Sequence, residues 1–248
     1  MSSEFKDPSF RHPATLLPLT IVGLVCFVLL DALYIPAGIF GIIGIEQHPR
    51  NDDLIAFSKL IRGLSGLGQL LMFIWTTVCF CMLIYRFAHN ARAIGFTSFN
   101  HTPGWCVGWF FIPFAHLWMP YKANSEIWQS SKVSDSEQIR QNEWWEQPIG
   151  LVFKLWWFAW VFGNIGNNTA SRLSQSTFEP LELAGYWLIP FAGALQVSSA
   201  ILAIMIVSKL ASRQRTQFEL MQSQHQAGDP FANDTFQYRE QTETDKQQ

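Results

Sequence analysis

Long apolar runs separated by polar stretches set the first expectation. A helix that crosses a bilayer needs about 20 mostly apolar residues, within a range of roughly 17–25. Four segments meet that length: 16–40, interrupted by Asp31 and Pro36; 64–87; 149–165; and 184–210, with Pro190 inside it. A fifth apolar stretch, 105–119, has Pro113 within it. At 1.5 Å rise per residue it would reach only about 22 Å, short of a ~30 Å hydrocarbon core. It is expected to be re-entrant or interfacial, covered by the other helices; a tilted fifth span is the competing reading. The expected fold is therefore an all-α membrane protein, with four transmembrane helices plus a short Pro/Trp-rich helical segment over 103–131. Residues 1–15 form a cytoplasmic N-terminal segment, 16–210 the membrane domain and 211–248 a polar cytoplasmic tail, whose start can extend the fourth helix and whose end is expected to be disordered. The first run is too long for a signal peptide and no small-x-small cleavage site follows it, so it reads as a retained span.

Basic residues orient the spans. With four spans, one side receives Lys6, Arg11, Arg86, Arg92, Lys122, Lys132, Arg140, Lys209, Arg213, Arg215, Arg239 and Lys246, and Lys154 can snorkel there. The other side receives Arg50, Lys59, Arg62 and Arg172. This asymmetry places both termini in the cytoplasm of a multi-pass inner-membrane protein. A fifth span would move Lys209, Arg213 and Arg215 outside, which disfavours it. On the outer side, 51–62 reads as a helix capped by Asn51, with Asp52 and Asp53 at its positive end, running on into the second span.

Composition agrees with a lipid environment. Apolar residues make up 49% of the 248 residues and charged residues 15%, against roughly 25% charged in soluble domains. The net charge of -2 gives no basic field for nucleic acid. The cysteines, Cys26, Cys79, Cys81 and Cys106, have neither disulfide nor zinc spacing. The histidines, His12, His48, His89, His101, His116 and His225, form no paired axial set for haem and no metal signature. No cofactor and no metal are expected. HExxH, GxSxG and P-loop motifs are absent.

Nine of eleven Trp lie between Trp105 and Trp160, and most of the unusual chemistry falls in 85–131. Pro103 suits a first helical turn, Trp105 and Trp109 share a face, and Gly104 and Gly108 would let a neighbouring helix approach. Pro113 is expected to end that helix at Ile112, and Pro120 to open another carrying Tyr121, Ile127 and Trp128; Trp118, Tyr121 and Trp128 are expected to continue the surface of Trp105 and Trp109. The pattern YRxxxNxRxxG, then PGWxxGWFFIPxxxLWxPY and EIW, resembles the bacterial integral membrane family called domain of unknown function 4328. The resemblance covers roughly 64–210, and more loosely the first span. Its matching positions are Arg86, Asn90, Arg92, Gly95, Pro103, Gly104, Trp105, Gly108, Trp109, Pro113, Trp118, Pro120, Tyr121 and Trp128. His116 stands where the family pattern carries a polar, Asn-like residue. The resemblance implies a bacterial membrane protein and no particular chemistry.

Polar groups inside spans are functional candidates. Asp31 has Gln69 or Arg62 as possible partners if the first two helices pack antiparallel. Asn164 and Asn168 share a helix face and could join helices or line a vestibule, though caps at a helix end explain them as well. Three functions are in play. The favoured one is a non-enzymatic scaffold or interaction module, its aromatic cytoplasmic surface meeting the bilayer and another membrane protein or a second copy. The alternatives are a small oligomeric channel or transporter, and a membrane enzyme acting on lipid through His89, His116 or Glu126. Asp31 on a wet path would mark transport; those three side chains in one cleft would mark catalysis.

Overall fold

The computed structural model of the chain describes residues 10–96, 98–132 and 144–228. Lys6, Arg140, Arg239, Lys246 and the tail beyond Gly228 lie outside them. Among the described residues every regular element is helical: α1 (Leu16–Ala32), α2 (Tyr34–Glu46), α3 (Asp52–Ala93), α4 (Pro103–Gly108), α5 (Met119–Ser130), α6 (Leu151–Leu173) and α7 (Glu179–Gly228). Single 3₁₀ turns fall at Trp109–Phe111, Ala115–Leu117 and Trp144–Glu146.

Proline and capping chemistry explain most boundaries. Pro36 lacks the N–H that would bond the Ala32 carbonyl, so the first apolar run splits at Leu33 into α1 and α2. Asn51 caps α3, its side chain accepting from Leu54 N at 3.0 Å. From there α3 runs unbroken for 42 residues, about 63 Å. It stops at Gly95, whose φ of +97° admits glycine readily. Gly95 N bonds Arg92 O and Phe96 N bonds Ala91 O, the paired bonds of a Schellman stop.

Three helical stretches are long and apolar enough to cross a membrane: Leu16–Glu46, Asp52–Ala93 and Glu179–Ser223. The expected third span, 149–165, lies in α6. Its 23 residues reach about 34 Å, but Lys154, Asn164, Asn167 and Asn168 make it more polar than the other three. The segment 103–131 contains no fifth span: α4 has 6 residues and α5 has 12, about 9 and 18 Å.

The α1–α2 pair packs between α3 and α7, and α6 packs along α7. One core, around Leu83, Phe87, Ile127, Trp156 and Val207, lies where α4 and α5 fold over the bundle. A second, around Ile45, Ile55, Tyr186 and Ile189, fills the opposite end. The gap among Phe80, Ile84, Asn124, Phe153 and Val207 is about 10 Å³, room for at most a water. The outer faces carry exposed apolar stripes: Leu60, Leu64, Leu67, Leu71 and Ile74 on α3, and Leu151, Leu155, Phe158, Phe162 and Ile165 on α6.

The helix α7 continues past 210 to Gly228, so the start of the polar segment extends the last span. Ala211, Gln214 and Gln217 are buried. Gln214 Nε2 donates to Phe87 O at 2.9 Å, and Gln217 Nε2 donates to Lys132 O at 2.6 Å. These bonds fasten the start of the expected tail to α3 and to the residues after α5.

Candidate functional site

The family-like motif residues converge on a cap over the α1, α3 and α7 ends. It is built first from backbone grips by three residues of α3. Arg86 Nη1 donates to His12 O at 3.0 Å. One turn on, Asn90 pairs with both main-chain polar groups of Arg11: Nδ2 donates to Arg11 O and Oδ1 accepts from Arg11 N, both at 3.0 Å. Asn90 is fully buried. Arg92 forks between Ala88 O, at 2.6 Å, and His101 O, and its guanidinium lies over the Phe99 ring at 4.2 Å. The YRxxxNxRxxG pattern is thus a clamp with a helix stop. Asn90→Ala leaves the N–H and C=O of Arg11 unpaired, at about 1–3 kcal/mol. It is expected to speed tryptic cleavage at Arg11 several-fold, read by N-terminal sequencing; unchanged cleavage would mean the clamp does not hold the N-terminal segment.

The loop before α4 is pinned by Glu126, on the buried face of α5. Asn100 Nδ2 donates to Glu126 Oε1 at 3.0 Å, and His101 Nδ1 meets the same oxygen at 3.0 Å. His101 N donates to Oε2 at 3.4 Å. Thr102 then caps α4, accepting from Trp105 N at 3.3 Å, with Pro103 in the first turn.

The chemistry of this knot is structural. Burial pushes the Cys106 thiol up to about 12, so it remains a thiol and a poor nucleophile. Glu126 engages His101, whereas His116 lies edge-on to Trp160 at 6.3 Å between ring centroids, and His89 Nδ1 is buried without a partner. Among the described residues no three His, Cys, Asp or Glu side chains group to hold a metal ion.

Several expected positions have different surroundings. Trp105 and Trp109 stack as expected, with ring centroids 4.7 Å apart. No neighbouring helix enters at Gly104 or Gly108; a Cβ on Gly108 would meet only the ring of Trp105, at 3.3 Å. Trp128 does not continue the outer surface: it is 3% exposed and belongs to the core. Pro113 ends the first turn with Ile112 extended, and Pro120 opens α5. Tyr121 is half-buried against Phe153 and Trp157. The exposed aromatics are Trp105, Phe111, Phe114 and Trp118.

Asp31 accepts from Gln69 Nε2 at 2.5 Å, one of its two expected partners. Neither the small core gap nor the larger pocket beside Trp128 is lined by Asp31. Asn164 and Asn168 do not join helices: each Nδ2 donates one turn back, to Trp160 O and Asn164 O.

The profile of one family, described as Domain of unknown function (DUF4328), matches residues 48–212. That is two thirds of the chain, from just before α3 into α7, and it includes the whole clamp and cap. The chain belongs to this family. The DUF4328 match leaves all of α1 and α2 outside it, so the looser resemblance over the first span has no counterpart there. No curated protein and no solved structure matches the chain.

Proposed function

We propose that this DUF4328 protein is a non-enzymatic membrane module with four spans, both termini on the cytoplasmic side, and the 103–131 cap lying at the cytoplasmic lipid interface as a docking platform. The observation that carries the reading is the exposed aromatic edge of the cap. Trp105, Phe111, Phe114 and Trp118 are open, with Phe114 77% exposed, while Ala123–Trp128 behind them are buried. Aromatic rings of this kind favour the headgroup zone. Phe114 also sits at the centre of a γ-turn, φ +65° and ψ −50°, closed by Ala115 N bonding Pro113 O at 2.8 Å, a rare and strained backbone. The stripe from Leu151 to Ile165 on α6 supports a fourth span. It offers lipid one apolar face while Asn164 and Asn168 satisfy themselves along the helix.

The test is Trp quenching in nanodiscs of lipid brominated near the headgroup. The parent should be quenched, and Trp105→Phe/Trp118→Phe should lose much of the quenchable signal. If Trp105 and Trp118 respond to aqueous iodide and not to bromine, the platform reading fails. Phe114→Gly separates stability from membrane contact. It is expected to stabilise the detergent-solubilised protein by about 1 kcal/mol through relief of the γ-turn strain, and to weaken bromine quenching of Trp118. A loss of stability would show that Phe114 is held by packing within the protein.

A further inference from the structure

The end of α5, the start of α6 and one face of α7 enclose a pocket of about 310 Å³, within the range of small-molecule sites. We infer that this pocket binds the phosphate of an anionic phospholipid headgroup; the inference rests on the interfacial placement proposed above. Its ionisable lining residues are all cations: Lys132, just after α5, and Lys209 and Arg213, one turn apart on α7. Among the described residues none of the three has a carboxylate partner.

Two buried donors are also without acceptors. Trp128, 3% exposed, lines the pocket with its Nε1–H unpaired, and Arg213 Nη1 is unpaired as well. The Arg213 guanidinium lies 4.6 Å over the Trp128 ring, so both donors belong to one cluster. Buried donors ordinarily find partners, and this unpaired pair beside two further cations, Lys132 and Lys209, describes a receptor for an acceptor-rich anion.

The start of α6 adds to this field. Gly150 is its N-cap and supplies no side-chain cap. A Cβ there would stand 3.2 Å from the Trp128 ring and 3.4 Å from Nε1, so glycine lets the helix N-terminus close on the indole donor. The positive end of a 23-residue helix therefore meets the cation cluster, an arrangement suited to phosphate. The Lys132 ammonium titrates below its ordinary range because of burial and the like charge of Arg213; a bound phosphate would relieve both cations.

The rest of the lining points to lipid as the source of the phosphate. Ile149, Val152 and Met205 form its apolar side. Beyond it, Leu151 and Leu155 begin the exposed stripe of α6, where acyl chains would lie. Basic pockets between helices at the cytoplasmic side suit anionic headgroups.

The experiment follows unfolding of the full chain in neutral detergent during titration with dioleoyl phosphatidylglycerol, dioleoyl phosphatidylcholine or inorganic phosphate. Phosphatidylglycerol is expected to raise the midpoint saturably, and the other two to leave it unchanged. Trp128→Phe keeps the ring and removes the donor; Arg213→Gln and Lys132→Gln each remove a charge. Each should need about fivefold more phosphatidylglycerol for half-effect, the scale of one cation at an anionic surface. Arg215→Gln breaks an exposed pair with Glu219 and should titrate like the parent. If Arg213→Gln does not fold, Trp128→Phe and Lys132→Gln decide. Equal weakening by Arg215→Gln, parental titration of the pocket variants, or an equal response to inorganic phosphate would each overturn the inference. Bromine quenching at Trp105 and Trp118 does not depend on these residues. Quenching without a lipid-specific shift refutes the pocket alone, and loss of quenching refutes the platform.

Discussion

Gly185→Val is expected to prevent α6 from closing on α7. A Cβ at Gly185 would overlap the Ser174 backbone nitrogen and the Leu173 carbonyl carbon at the end of α6. The obstacle is main chain, so no rotamer can move it aside. The Ser174 backbone is itself tied down: its N bonds Ala170 O at 2.9 Å, and its Oγ accepts from Arg62 Nη1 at 3.1 Å. Next to Gly185, Tyr186 is fully buried against the second core, and a Cβ on Gly41 would strike its ring. A shift of α7 large enough to admit valine would therefore disturb two packed surfaces at once. Ordinary overpacking costs about 1–3 kcal/mol, and this case should lie at or beyond the upper end. The readout is the monodisperse fraction on size exclusion in detergent and the unfolding midpoint of whatever survives. Gly63→Ala is the matched control, since a Cβ there meets nothing within 4 Å; on helix propensity it should stabilise by about 0.5–1 kcal/mol. Gly185→Val with the parental midpoint would show that the α6–α7 approach is looser than these distances indicate.

The sequence was most legible where one residue type permits few backbones. Pro36 splitting the first run, Asn51 opening α3, and Pro113 and Pro120 dividing 103–131 all follow from a missing N–H or a side-chain cap. Pro103 at a first helical turn belongs with them, while the Thr102 cap in front of it carries no such reading although the same grounds support it. Apart from Asp31 with Gln69, pairing between distant positions stayed hidden. Glu126 with His101 and Asn100, or Gln214 with Phe87, joins residues 25 to 127 apart in sequence, and no periodicity marks such partners. The glycine spacing at 104 and 108 misled because a helix-packing motif needs a second helix, and none lies there. The 211–228 stretch is polar in sequence, yet Gln214 and Gln217 are buried and bond main-chain oxygens across the cap, which polarity alone does not show. Trp128 was assigned to the surface by residue type, while the helix it sits on is buried along most of its length.

Glu126→Gln is expected to loosen the cap without unfolding the spans. Glu126 Oε1 faces two donors, Asn100 Nδ2 and the His101 ring, and Oε2 faces His101 N. An amide offers one acceptor oxygen and two N–H donors, so one Asn100–His101 contact is lost and a donor is set against a donor. Leaving buried donors unpaired costs about 1–3 kcal/mol. The cost should stay local, since α1, α3 and α7 pack on one another independently of this loop. Amide exchange at His101 and the residues of α4 should rise, while the middle of α3 and α7 keeps its protection. Arg92→Lys should give the same pattern, because an ammonium cannot reproduce the fork to Ala88 O and His101 O or the stack on Phe99. The two changes act on one loop, so their combination should cost less than their sum. Glu219→Gln removes the exposed partner of Arg215 and should stay within about 1 kcal/mol of the parent. If Glu126→Gln and Arg92→Lys are additive, or if exchange rises equally throughout the bundle, the clamp and the Glu126 knot are not one unit. The docking edge of Trp105 and Trp118 would then lack the rigid support that distinguishes it from a loop.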